Sequence, residues 1–450
     1  MPHLIPDKTD VLVVGAGLAG AVAAARASRA GQHVLLVDRL EEVAVGRKVC
    51  GNGLADEGMA AAAEYTRPIA GAEIAWRIEG GRVVLRDGET TVPIPKSGAV
   101  LNRYVLGQRL LSDAVEAGAT FCPGCSCAGW SDRDSLRVRL DLSDGERVEV
   151  TARVVIDASG YRAVLTRAGG TLRRETPARE DVGIGYREIV PLTEPIPEPR
   201  TVIVDLTCKG LSGGYAWIFP MGERLANIGI GATLHSAGPD LRAAYRSFLA
   251  GYPDIHASDP IESGAGLLPL RRPLVTMVGD GFMTAGDAGC QTNPLHGGGI
   301  APGIIGGGMA GDVASRALSE GDTSSEALWS YNTAFMKEVG ARHAGHDFLR
   351  RFIFSLSDDE FDFLTLELAG SHALLKALSE GGSRPPLKRA FRALARAAKR
   401  PGLVTRFLRA GRLAEEIQEL YYDYPASPDR LDSWIGRVEF ASKALERLTN

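Results

Sequence analysis

The sequence predicts an α/β protein: a discontinuous Rossmann-like FAD-binding domain, an inserted, mostly antiparallel β-sheet substrate domain, and a C-terminal helical region. Three observations predict it. Residues 10–38 read as strand, glycine-rich turn, helix, strand and acid. Two more glycine-containing turns that suit a dinucleotide lie far down the chain, at 157–160 and 286–299, so other structure must interrupt the domain. Alternating strands fill the interruptions, and from about residue 331 the apolar period becomes helical.

The first element is Asp10-Val11-Leu12-Val13-Val14, an apolar run of the kind buried in a parallel sheet. Gly15-Ala16-Gly17-Leu18-Ala19-Gly20 follows at once. An Ala-rich helix then runs to about Arg29, Gly31 ends it, and a strand at 34–37 finishes on Asp38. This is the dinucleotide fingerprint in its required setting. Gly15 permits the tight turn, Gly17 admits a pyrophosphate, and Gly20, beside Ala19, lets the helix pack on the strand. Free N–H groups at the helix start suit phosphate. Asp38 is placed for the adenosine ribose hydroxyls.

The second element is the strand and small-residue turn Val154-Val155-Ile156-Asp157-Ala158-Ser159-Gly160. The third is Ala285-Gly286-Asp287-Ala288-Gly289, continuing through Asn293-Pro294-Leu295-His296-Gly297-Gly298-Gly299-Ile300. Asp287 is placed for ribityl hydroxyls. Gly298, Gly299 and Ile300 open a helix whose N-terminus would face the flavin N1 and C2 carbonyl, where charge collects on reduction. Together the three pieces specify FAD. With no second complete glycine fingerprint, an electron donor has no obvious dedicated domain.

Between these pieces, residues 74–94 read as a small meander around Gly80-Gly81 and Asp87-Gly88. Residues 182–233 supply further strands, and the two groups are expected to form one sheet over the flavin. Tyr215, Trp217 and Phe219 alternate along one of those strands, so they share a face. Three adjacent rings there suit either an ordinary sheet core or a wall for a long hydrocarbon.

The chain resembles the para-hydroxybenzoate hydroxylase fold group and, within it, the geranylgeranyl reductases of the archaeal digeranylgeranylglycerophospholipid reductase type. Lys48-Val49-Cys50-Gly51, the aromatic stretch 215–220 and the 286–299 segment carry the resemblance, with Leu268-Pro269-Leu270-Arg271-Arg272-Pro273 and residues 419–425. It implies a flavin enzyme that saturates C=C bonds of geranylgeranyl chains, with Tyr215, Trp217 and Phe219 against the prenylated lipid. It implies a catalytic Cys50, a segment holding Cys50, Gly51 and Gly53 that reaches the flavin, Arg103 on the cofactor side, and Cys127 beside the adenine. An external donor, nicotinamide or ferredoxin-like, must reduce the flavin. A flavin-dependent aromatic monooxygenase of the same fold group and a non-catalytic flavin-binding membrane-associated protein are the alternatives.

The expected domain boundaries are 1–70, 97–180 and 270–330 for the FAD domain, 71–96 and 181–269 for the substrate sheet, and 331–450 for the helices. With 450 residues, a net charge of −4 and 45% hydrophobic residues, the composition is that of an ordinary folded protein with several domains. The early first strand leaves no room for a signal peptide, and no apolar run reaches about 20 residues. The expectation is a cytoplasmic protein, peripheral at the inner face of the cell membrane. Cys122, Cys125 and Cys127 lack a fourth ligand at zinc spacing, so no metal is expected, and residues 119–129 read as one strand. Between Gly381 and Ala414 stand Arg384, Lys388, Arg389, Arg392, Arg396, Lys399, Arg400, Arg406, Arg409 and Arg412, with no acid. Such a segment is either a solvated helix face or a surface for anionic lipid. No nucleic-acid motif accompanies it.

Overall fold

The structure, a computed structural model, describes residues 5–168, 177–208, 214–236, 240–368 and 399–449. Its centre is a sheet in which Thr120–Cys122, Val34–Val37, Lys8–Val14, Arg147–Asp157 and Phe282–Thr284 pair in parallel, in that order. These strands come from all three expected segments of the FAD domain. They are continuous apolar runs because both faces are covered: Val11, Leu12, Val13, Val34, Leu35 and Leu36 are buried. Residues 119–129 do not form one strand. The chain breaks at Pro123-Gly124, where Gly124 takes φ +62°, into Thr120–Cys122 and Ser126–Asp132.

Helix Leu18–Arg29 covers one face of this sheet and packs on Ile300–Glu320. The contact works because small residues meet backbone. A Cβ at Gly307 would stand 2.1 Å from the Ala19 carbonyl oxygen, and one at Gly311 2.6 Å from that of Ala23. Arg26 and Asp312 close the interface through two 2.7 Å hydrogen bonds.

The inserted sheet has seven strands, in the order Glu262–Pro269, Val182–Pro191, Leu225–Thr233, Tyr215–Gly222, Thr201–Asp205, Gly80–Val84 and Thr91–Ile94. All neighbours are antiparallel except Thr201–Asp205 with Gly80–Val84. One face packs on helix Leu241–Leu249 through Ala216, Ile218, Ile228, Ile230, Tyr245 and Phe248. The other face looks toward the FAD domain. The expected single sheet from residues 74–94 and 182–233 needs correction. Strand Ile74–Ile78 leaves it and joins Gly98–Leu101 and Gly53–Ala55 in a separate three-stranded sheet. Gly80-Gly81 is not a hairpin turn; both glycines sit inside a strand, where a Cβ on Gly81 would meet Val202 at 2.6 Å.

Among the described residues the C-terminal region consists of helices and the short turns that join them. Helix Ala341–Phe354 packs on Pro401–Tyr422 and is tied inward by buried charge. Arg272 and Arg350 each bond Asp347 at 2.9 Å, and Arg350 also reaches Asp181 at 2.6 Å. Burial alone would raise the Asp347 carboxyl, but Arg351, Arg350 and Arg272 hold it below the usual carboxylate range. Such a cluster orients its elements more than it stabilises them. Arg384, Lys388, Arg389, Arg392 and Arg396 lie outside the described residues. Of the rest of the basic segment, Arg406 pairs with Glu360 at 2.8 Å and Arg400 lies over the Phe363 ring.

Gly307→Ala tests the helix contact. The added methyl meets the backbone of Ala19 rather than a movable side chain, so a loss of about 1–3 kcal/mol is expected. Urea unfolding should show a lower midpoint with an unchanged slope; an unchanged midpoint would contradict this packing.

Candidate active site

The strand-to-helix turn after Val14 is shaped by three glycine positions. Gly15 has φ +104°, and a Cβ there would stand 2.4 Å from the Ala158 carbonyl oxygen. At Gly20 a Cβ would overlap the Gly15 carbonyl oxygen at 1.8 Å, so the helix can approach only without one. Gly17, the helix N-cap, is different: a Cβ there would meet no protein atom within 4 Å. It points into open space beside the free N–H groups of the first turn.

That space is a cleft of about 280 Å³ lined by the predicted Gly15, Gly17, Asp38, Arg103, Cys127 and Asp287, together with Lys48 and Ser159. Asp38 also shapes its own turn, accepting from the Ala16 N–H at 2.7 Å and the Leu40 N–H at 2.8 Å. Asp157 fixes the opposite wall. It accepts from the backbone of Ser159, Leu165 and Thr166 and from the hydroxyls of Ser159 and Thr166. The predicted Ala19, Gly20, Gly298, Gly299 and Ile300 are not among the residues that line it.

Two observations bear on whether the cleft suits FAD. Arg103 is buried, and its Nη1 has no hydrogen-bond partner. Burial pushes this guanidinium down from its ordinary pKa, against the opposing pull of Cys50 and Asp287. The second is the empty cradle over Gly17. A buried guanidinium with an unpartnered nitrogen beside open N–H groups fits a diphosphate. Asp287 accepts from Lys48 Nζ and from the Thr292 hydroxyl, each at 2.6 Å. Burial opposes its charge, but Lys48 holds its carboxyl below the ordinary value.

The second group of predicted residues lies beside the cleft. Tyr215, Trp217 and Phe219 do share one face, with ring centroids 6.0 and 6.3 Å apart. Trp217 is buried, its indole lying over Gly229. Phe219 faces Gly51 and Gly53, where a Cβ would come within 3.0 and 3.1 Å of the ring. Trp217 Nε1–H donates to Asn227 Oδ1 at 3.0 Å, and Asn227 Nδ2–H donates to the Cys50 carbonyl at 2.8 Å. Cys50 Sγ accepts from the Asn52 N–H at 3.3 Å. Burial, with Cys50 nearby, raises the Tyr215 phenol to about 12, and its O–H donates to the His296 carbonyl at 2.8 Å. Cys50 thus lies within electrostatic reach of both Arg103 in the cleft and Tyr215 in the aromatic row.

Sequence reasoning missed the floor of this face. Gly183-x-Gly185, Gly229-x-Gly231 and Gly264-x-Gly266 lie on three adjacent strands, with Gly185 opposite both Gly231 and Gly266. A Cβ at Gly185 or Gly231 would meet nothing closer than 3.5 Å. The alternating glycines were a visible signal, because a strand gains no packing from them. Asn227, Lys48 and Thr292 were missed as well. Among the described residues no group of three or more His, Cys, Asp or Glu side chains could hold a metal.

Comparison with known proteins connects this geometry to a family. The model for FAD dependent oxidoreductases matches residues 10–184, and that for the geranylgeranyl reductase catalytic domain matches 181–268. The digeranylgeranylglycerophospholipid reductase of Sulfolobus acidocaldarius is 30% identical over 447 residues, spanning 96% of this chain and 97% of its own. The chain belongs to the geranylgeranyl reductase family. Digeranylgeranylglycerophospholipid reductase 1 of Methanopyrus kandleri is 34% identical, over 73% of this chain and 86% of its own. A geranylgeranyl bacteriochlorophyll reductase-like protein of Thermoplasma acidophilum shares the fold, with TM-score 0.75, 24% identity, and coverage of 90% of this chain and 99% of that one. A myxobacterial chondrochloren halogenase also shares it, at TM-score 0.64 and 17% identity, over 93% and 97%. FAD is the cofactor of this family of oxidoreductases. The junction of the two matched models, at 181–184, falls where Val182–Pro191 enters the inserted sheet.

Gly17→Val isolates cofactor binding. The side chain enters open space and disturbs no protein contact, and φ is −66°. FAD should bind at least about tenfold more weakly while the apoprotein melts at the wild-type temperature. Full FAD occupancy in this variant would move the diphosphate elsewhere.

Proposed function

We propose that this reductase saturates C=C bonds of geranylgeranyl chains, carried on archaeal-type diether phospholipids, in membrane lipid biosynthesis. The observation that supports it best is the face beside the cofactor cleft. Glycines at 185, 229 and 231 seat the Trp217 indole, those at 264 and 266 seat Val49, and the row of three aromatic rings so placed ends beside the Cys50 segment. The glycines let the Trp217 indole and Val49 lie close on the sheet, and the resulting apolar, largely aromatic surface suits a long, flat hydrocarbon chain and offers it few fixed polar groups.

An isolated trisubstituted alkene needs a proton on one carbon and a hydride on the other. When bound, reduced FAD supplies the hydride. The protein's part is to keep the alkene dry and aligned, which the rings of Tyr215, Trp217 and Phe219 do by excluding water. Lys48 and Arg103 set positive charge along the cleft, and the N-terminus of Ile300–Glu320 adds the positive end of its dipole. Cys50 lies between cleft and aromatic row, placed to shape the alkene's seat or to relay a proton.

An external nicotinamide or ferredoxin-like carrier reduces the flavin in this reading. The bilayer is the source of substrate, and basic side chains between residues 384 and 412 attract anionic headgroups. Among the described residues no helix is long and apolar enough to cross a membrane.

The test is anaerobic. Chemically reduced holoenzyme mixed with a geranylgeranylated diether phospholipid should reoxidise, and mass spectrometry should find saturated chains. Cys50→Ala should keep FAD and slow this step at least about tenfold. Flavin that stays reduced until oxygen is admitted would point to a monooxygenase and overturn the proposal.

A further inference from the structure

We infer that Arg342, His346 and His296 form a binding site for a phosphate ester at the Tyr215 end of the aromatic row, holding the polar end of an isoprenoid phosphate while its chain runs along the rings. This rests on the reading that the substrate is a prenylated lipid.

The three side chains come from two elements that the fold brings together. Arg342 and His346 stand four residues apart on helix Ala341–Phe354, so they share one face. His296 lies in the loop before helix Ile300–Glu320, with its ring edge-on to that of His346 at 6.4 Å between centroids. Arg342 and His296 are exposed and His346 is half-buried. Arg342 makes no ion pair among the described residues, yet it is close enough to both rings to affect their charge. Burial, His296 and Arg342 push His346 down to about 3. Behind them His343 is buried with an unpartnered Nδ1.

Hydrogen bonding fixes what these groups offer. His296 Nδ1 accepts from the Gly298 N–H at 3.2 Å, so a neutral ring carries its proton on Nε2. Asn293 Oδ1 accepts from the Leu295 N–H, which turns its Nδ2–H toward His346 Nδ1 at 2.9 Å. His346 therefore also presents Nε2–H. Two imidazole donors and a guanidinium that makes no ion pair, with no carboxylate acting on either ring among the described residues, make a group of donors suited to an acceptor with several oxygens. The Tyr215 hydroxyl bonds the His296 carbonyl, so an oxygen group held here starts the chain at the first ring of the row.

Geranylgeranyl monophosphate and geranylgeraniol carry the same chain and differ in the anion. Arg342→Met should raise KM for the monophosphate at least about tenfold and leave KM for the alcohol within about twofold. Arg342→Lys should recover part of the loss, and His346→Gln should act in the same direction as Arg342→Met. Calorimetry with inorganic phosphate gives a readout independent of turnover: the wild-type holoenzyme should bind it, more weakly than geranylgeranyl monophosphate, and Arg342→Met/His346→Gln should not. Equal changes for both substrates, or an unchanged KM for the monophosphate, would overturn the site. If the wild type reduces neither substrate, the functional reading fails by itself. Calorimetry then still decides the site: phosphate binding lost in the double variant supports it, and binding retained overturns it.

Discussion

A buried amide ties the aromatic strand to the segment around Cys50. Asn227 is fully buried and spends both ends of its side chain, taking the Trp217 indole proton within the inserted sheet and giving one to the Cys50 carbonyl outside it. Losing it would leave the buried Trp217 indole N–H unpaired, at a cost of about 1–3 kcal/mol, and would free the partly buried Cys50 carbonyl. The bond also fixes geometry. It holds the segment around Cys50 against the aromatic strand, so that Gly51 and Gly53 can meet Phe219 and Val49 can cover Gly264 and Gly266. The glycines on both surfaces are what make this closeness sterically available.

The same segment reaches the cofactor cleft through Lys48, whose ammonium sits on Asp287. Three residues of one strap therefore report on three places: Lys48 on the cleft, Cys50 on the junction, Gly51 on the aromatic row. The cleft itself is arranged for an anion. Arg103 is buried without full hydrogen bonding, a costly state that a bound diphosphate would relieve.

The FAD domain was legible because its signals are local. Gly15, Gly17 and Gly20 act within one turn, and Asp38 follows the next strand of the same strand–helix–strand unit, where it caps that turn through the Ala16 N–H. The alternation of Tyr215, Trp217 and Phe219 was legible for the same reason. What the residues alone hid is long-range. Nothing local marks Asn227 as the partner of Cys50, 177 residues away. Gly80-Gly81 read as a turn because glycine pairs usually are turns, whereas here they admit the backbone of a parallel neighbour. The split of residues 119–129 depended on one positive φ at Gly124. His346 gave no signal, since its meaning comes from a loop fifty residues earlier.

The central claim is that Asn227 holds the Cys50 segment on the inserted sheet. Hydrogen exchange of Asn227→Leu measures it most directly, because local opening appears there without global unfolding. Backbone amides of residues 49–53 should lose protection while those of Lys8–Val14 keep theirs. Unchanged protection at 49–53 would contradict the account and show that the strap is held by packing alone.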